Sequence, residues 1–193
     1  MFLNEARILP VPEEALTPGI AAAVAPMKAL GPILNVFRTL AHNEDAFHGY
    51  MAWAMYLLMK SSVNAREREL LVLRAGYVCK SGYEWAQHAP IGRRAGLTDA
   101  EIAAIKLGAD APNWNAADRA LLRFTDELIG AMRVTDATWA AVRDHFSEQQ
   151  MLDITYIVSF YVQVSMILNA VGIQLDPGQT LDPDLDFRPK AAA

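Results

Sequence analysis

The amino-acid sequence predicts an all-α bundle, on three observations. Helix-capping residues recur along the chain at the starts of apolar-periodic segments. No run alternates apolar and polar residues with the period of two that a half-buried strand requires. The uncharged stretch from Ile154 to Leu175 is too apolar for a surface helix and has the length of a central one.

The elements follow in order. Residues 1–18 hold Pro10, Pro12 and Pro18 and are expected as an extended arm. An alanine-rich helix is expected from Ile20 to Leu30, ended by Gly31-Pro32. A second runs from Pro32, a residue suited to a first turn, to Ala41. Asn43 caps a helix from Glu44 to Met59 whose centre, YMAWAMYLLM, reads as buried. Asn64 caps Ala65 to Cys79, a helix that opens on Arg66-Glu67-Arg68-Glu69. After a break at Ser81-Gly82, another runs from Tyr83 to Ala95 and stops at Gly96. Thr98 and Glu101 form a capping box for a short helix to about Leu107, and Asn115 caps one to about Met132. A short helix starts at Thr135, and Ser147 with Gln150 opens the long uncharged one. These residues group as a single helical domain over 19–176, with residues 177–193 as an exposed tail.

Composition narrows the function classes. Of 193 residues, 53% are apolar and 20% charged, which is the balance of a folded chain. The net charge of −5, with Lys and Arg scattered, provides no basic stripe for a nucleic-acid backbone. Cys79 is the one cysteine, so no internal disulfide forms; with no secretion signal in the opening residues, a cytoplasmic protein is expected. The Ile154–Leu175 stretch could span a bilayer by length. Its polar Ser159, Gln163, Ser165 and Asn169, and flanks that are acidic and not basic, point instead to a buried helix, covered in part by a second subunit.

The chemistry-bearing segment is RERELLVLRAGYVCKSGYEWAQHAPIGRRAG, from Arg66 to Gly96. Glu84 and His88 are four residues apart and share a helix face, with Ser81 one turn earlier. A carboxylate beside an imidazole fixes its tautomer and raises its basicity, which suits proton transfer. Glu69 approaches the same pocket if the two helices form a hairpin. Other roles stay open. Ser81 and Glu84 also read as a capping box, His88 as a core histidine, Glu69 as a solvated charge and Cys79 as inert core. Two metal ligands without a third support no metal site. Trp53, Tyr77 and Trp85 are candidate pocket walls alongside Ser81.

The run R-E-R-E-L-L, then C-x-S-x-Y-E-W-A-Q-H, then A-G-L-T-D-A-E-I, resembles the carboxymuconolactone decarboxylase family, which also contains the AhpD alkylhydroperoxidases. The similarity is strongest over residues 34–108, and Tyr156, Asn169 and Gly172 look like the longer members. AhpD proteins carry a glutamate, a C-x-x-C pair and a histidine four residues beyond it. In that alignment Glu69 and His88 are kept, while Ser81 and Glu84 stand at the thiol positions and Cys79 does not restore the pair. The resemblance implies an AhpD-like bundle assembled as a homotrimer or hexamer, with no cofactor and no membrane partner. It implies a cofactor-independent lyase (a decarboxylase of aromatic compound catabolism) or an isomerase. The substrate would be a small carboxylated organic acid or lactone, with His88, Glu84 and Glu69 catalytic. The alternatives are a peroxidase-like antioxidant reductase using Cys79, and a non-catalytic helical binding or assembly protein.

Overall fold

The computed structural model describes residues 3–28, 31–112 and 114–188. Among them the regular structure is helical: α1 (Pro18–Lys28), α2 (Asn35–Leu40), α3 (Glu44–Met59), α4 (Ala65–Val78), α5 (Gly82–Arg94), α6 (Asp99–Ile105), α7 (Ala116–Ala131), α8 (Asp136–Arg143) and α9 (Glu148–Val171), with three single 3-10 turns. The expected end of α1 at Leu30 lies outside the described residues.

Local chemistry starts most of these helices. The side chains of Asn43, Asn64, Thr98, Asn115, Thr135 and Ser147 each accept a hydrogen bond from the backbone N–H three residues on, and Thr98–Glu101 and Ser147–Gln150 close full capping boxes. One start differs from expectation. Pro32 does not sit in the first turn of α2, which begins at Asn35. The N-terminus of α2 is capped from far along the chain: Asn35 N–H donates to Asp176 Oδ1 at 2.7 Å and Val36 N–H to the Tyr83 hydroxyl at 3.3 Å.

Helix α4 is the hub, packed against α5, α7 and α9, with Leu70, Leu71, Val72 and Leu73 fully buried. Close approach of α4 and α5 rests on two glycines. A Cβ on Gly76 would meet the Glu84 side chain at 3.3 Å, and one on Gly92 would meet Leu73 at 3.2 Å and Leu97 at 3.1 Å. The antiparallel pair therefore places Glu69 opposite the second and third turns of α5. Two arginines tie α4 to its other neighbours: Arg66 binds both oxygens of Asp118 at 2.9 Å, and Arg74 binds those of Asp126 at 2.6 and 3.0 Å.

Two expectations about exposure, for α3 and for the tail, are corrected. Helix α9 is covered on one side within the chain, which leaves the other side for the expected second subunit: Leu152, Tyr156, Ser159, Gln163, Met166 and Ala170 form an exposed stripe, while Ile154, Ile157, Val158 and Leu168 face the core. In length and composition it could cross a membrane; within the fold, its Asp153 accepts hydrogen bonds from Tyr56 and Ser62. The centre of α3 likewise buries only Phe47, Met51, Ala54 and Leu57 and leaves Trp53, Met55, Leu58 and Met59 exposed. The tail is not a free strap, because Leu185 is 1% exposed within the core and Lys106 holds Asp182 and Asp184.

Candidate active site

The start of α5 decides between two roles for Glu84. Ser81 is the N-cap residue but makes no capping bond, and its buried hydroxyl has no partner among the described residues. The Glu84 side chain does not turn back to the cap. It reaches forward along its helix, with Oε1 3.0 Å from His88 Nε2. From α4, Glu69 Oε2 lies 2.7 Å from His88 Nδ1, and Arg68 Nε donates to Glu69 Oε1 at 3.3 Å. Three of the four charges in the α4 run are thus held within the fold: Arg66 on Asp118, Arg68 on Glu69, Glu69 on His88.

His88 is buried between two carboxylates. Burial pulls its pKa down, but the charge of Glu84 and the hydrogen bonds to Glu69 and Glu84 prevail and push it up to about 10. With an acceptor on each ring nitrogen, both nitrogens carry protons. Tyr161 meets the ring edge-on, with centroids 5.1 Å apart, and Phe160 and Tyr50 extend the aromatic chain at 5.4 and 5.2 Å.

A cavity of about 160 Å³ opens beside this group. Its polar lining comes from Glu84, His88, Gln87, Tyr83, Tyr50 and Tyr161, and the rest is Met, Leu, Val, Phe, Ala and Ile. Glu84 and His88 both reach it. Glu69 lies behind His88, fully buried. Burial, then the charge of Glu84, raises the pKa of both Tyr50 and Tyr161, so both hydroxyls stay protonated.

The four expected pocket walls sit elsewhere. Trp85 is one residue past Glu84, about 100° around the helix, and meets Tyr77 at 5.6 Å under Lys106. Ser81 is enclosed at the N-cap. Trp53 stacks on Tyr56 at 5.3 Å and lines a separate outer groove of about 520 Å³. The groove and the cavity share the rings of Tyr50 and Phe160. Tyr50, Tyr161 and Phe160 were missed in the sequence. The one signal for the two tyrosines is a hydroxyl on an otherwise apolar helix face, which a core position has to satisfy or expose; Phe160 carries none. Cys79 is half-buried at the end of α4, and burial together with Glu84 raises its thiol pKa, the opposite of what an attacking thiolate needs.

Residues 44–127 match the model of the Carboxymuconolactone decarboxylase family. That stretch of the chain, which holds the motif from Arg66 to Gly96, is similar to the family. It is similar to the uncharacterized protein YdfG of Bacillus subtilis (strain 168), 26% identical over 115 residues that cover 58% of this chain and 78% of YdfG. Its fold matches an alkylhydroperoxidase AhpD core, an uncharacterized peroxidase-related protein from Ralstonia eutropha JMP134. There the TM-score is 0.77 at 24% identity, over 88% of this chain and 93% of that one. It also matches the debrominase Bmp8, with a TM-score of 0.75 at 14% identity, over 88% and 92%. The AhpD-like, all-helical fold expected from the motif is the fold observed. At the two positions where the resemblance places the thiols of the dithiol members, the structure has the Ser81 hydroxyl without a hydrogen-bond partner and the Glu84 carboxylate against His88.

Proposed function

We propose that this protein is a cofactor-independent proton-transfer enzyme, an isomerase or lyase, acting on a small neutral lactone or other carbonyl compound. The observation that carries the reading is Glu84. One of its oxygens is bound to His88 and the other has no protein partner among the described residues, on the wall of an apolar cavity. Glu84 is the base that meets the substrate, and the His88–Glu69–Arg68 relay behind it balances its charge. This shifts the acid–base role expected for His88 one group along, since both His88 nitrogens are engaged.

Size and charge select among substrates. An apolar cavity of about 150 Å³ is enough to hold benzene, so this one suits a single ring. No Lys or Arg is among the lining residues. A free carboxylate would face Glu84 with only His88 as counter-charge, already shared by two carboxylates. Of the substrate forms expected from the sequence, the lactone is therefore favoured over the carboxylated acid, and isomerisation or ring-opening elimination over loss of carbon dioxide. The raised thiol pKa of Cys79 speaks against the peroxidase alternative, and the polar-floored cavity against a purely structural protein. We place the enzyme in the cytoplasm, on its single unpaired thiol.

The test is exchange of carbon-bound hydrogen in deuterated water, followed by proton NMR over a panel of small lactones and cyclic ketones. The wild type accelerates exchange next to the carbonyl, Glu84→Gln lowers the rate about 100-fold or more, and Cys79→Ser keeps it. No exchange with any member of the panel refutes the reading. Hydroperoxide turnover lost in Cys79→Ser would replace it with thiol chemistry.

A further inference from the structure

Removing a proton beside a carbonyl sends the C–H electron pair onto the carbonyl oxygen, and the resulting enolate needs hydrogen-bond donors placed where that charge develops. The cavity has few. His88 spends its two N–H groups on Glu69 and Glu84. Gln87 Nε2 donates to Tyr83 and to Asp176, and the Tyr83 hydroxyl donates to Asp176. No Ser, Thr, Lys or Arg lines the wall. Among the described residues, two side-chain donors remain that line the cavity and have no protein acceptor: the hydroxyls of Tyr50, from α3, and Tyr161, from α9.

We propose that Tyr50 and Tyr161 are the oxyanion donors of this cavity, holding the substrate's carbonyl oxygen as Glu84 takes and returns the proton. The inference rests on the proton-transfer reading above and adds to it the groups that bind the substrate's carbonyl oxygen, which requires a carbonyl compound able to enolise within the reach of two phenols. Atoms balance without a co-reactant: the C–H bond breaks, Glu84 holds the proton, negative charge passes to the carbonyl oxygen, and the proton returns to carbon. Three features support the assignment. Neither phenol oxygen is among the buried polar atoms left without a partner, so both stay open to a ligand in the cavity that their residues line. Tyr161 is 5% exposed, with its ring against His88, so its position is fixed by the catalytic group itself. Burial and the nearby carboxylates keep both phenols protonated, hence donors, across the working pH range.

The probe is 4-nitrophenol, whose anion mimics an enolate and reports its ionisation by absorbance. The host is Glu84→Gln, which mimics the site after proton uptake and removes the charge that would repel a bound anion. In that host, bound 4-nitrophenol should ionise about one pH unit or more below the free compound, a tenfold preference for the anion. Tyr50→Phe and Tyr161→Phe added singly should each weaken that preference, and the two together should abolish it, with circular dichroism confirming the fold. A preference that survives both substitutions, or bound phenol that stays neutral in the host, overturns the assignment. The readout needs no turnover, so it separates the two ideas. Carbon exchange without anion preference discards the donors alone. Anion preference without carbon exchange keeps the donors and discards Glu84 as the base.

Discussion

Replacing Glu69 with Gln keeps the shape of the side chain behind the cavity and removes one of the two carboxylates that hold the His88 ring. In the native chain those carboxylates, at 2.7 and 3.0 Å, outweigh burial and push the imidazole pKa up to about 10. In an unfolded chain a histidine titrates near 6.5. Between those values the unfolded ring has released a proton that the folded ring still holds. The stabilisation from His88 is therefore complete below pH about 6.5 and drains away as the pH rises toward about 10, at about 1.4 kcal/mol per pH unit. Glu69→Gln should cost about 2 kcal/mol near pH 6.5 through the lost charge-assisted hydrogen bond. It should also lower the folded pKa, so that the decline with pH ends sooner. Urea unfolding of both proteins at half-unit steps from pH 6.5 to 9.5, at one fixed protein concentration, measures the two slopes, and their difference cancels the titrations common to both. Imidazole NMR supplies the ring's pKa directly. A wild-type His88 that titrates near 6.5, or parallel stability curves for the two proteins, would refute the charge arrangement.

Two further outcomes are expected. Ser81→Ala removes a buried hydroxyl with no partner, so unfolding free energy should stay level or rise by up to about 1 kcal/mol; a drop larger than that in urea titration would reveal an acceptor. The uncharged α9 stripe, with Met166 58% and Leu152 54% exposed, should bury itself against a second copy, so sedimentation should give a species above monomer mass and Met166→Glu should shift it to the monomer. A monomeric wild type sinks that expectation.

What was legible in the sequence is what is local. The caps at Asn43, Asn64, Thr98, Asn115, Thr135 and Ser147 act over three residues, so the sequence marks them directly. Glu84 and His88 were legible as partners because four residues separate them on one helix. Glu69 was legible only on the condition that α4 and α5 form a hairpin, with the family motif pointing to the same residue, and the glycines at 76 and 92 explain in physical terms how it reaches the ring. The start of α2 was not legible, since its cap is Asp176, 141 residues further on. Tyr50 and Tyr161 were hidden for a different reason. Helical periodicity marks positions that face inward, and an inward face looks the same whether it meets a packed core or a cavity. The same blindness applies to α9, whose composition fits a core helix and a subunit interface equally well.

A carboxylate at position 84 changes more than the redox chemistry. Glu69, His88 and Glu84 together hold two protons and one net negative charge in either of two arrangements: an imidazolium between two carboxylates, or a neutral imidazole beside a protonated Glu84. Moving the proton across the 3.0 Å contact between Nε2 and Oε1 converts one into the other and leaves the total charge of the buried group unchanged. Changing the charge of a buried group is what costs most in a low-dielectric interior, and this shift avoids it. In the proposed reaction Glu84 takes a proton from substrate; the group then loses its net negative charge, and that charge reappears on the substrate oxygen across the same small cavity. That reaction would move charge over one short distance without importing any, and Arg68 is placed in keeping with it, on Glu69 behind the histidine and not on the cavity wall. A thiol at position 84 would place its chemistry on sulfur. The carboxylate makes a histidine contact on the same helix face, and the proposed proton transfer rests on that contact.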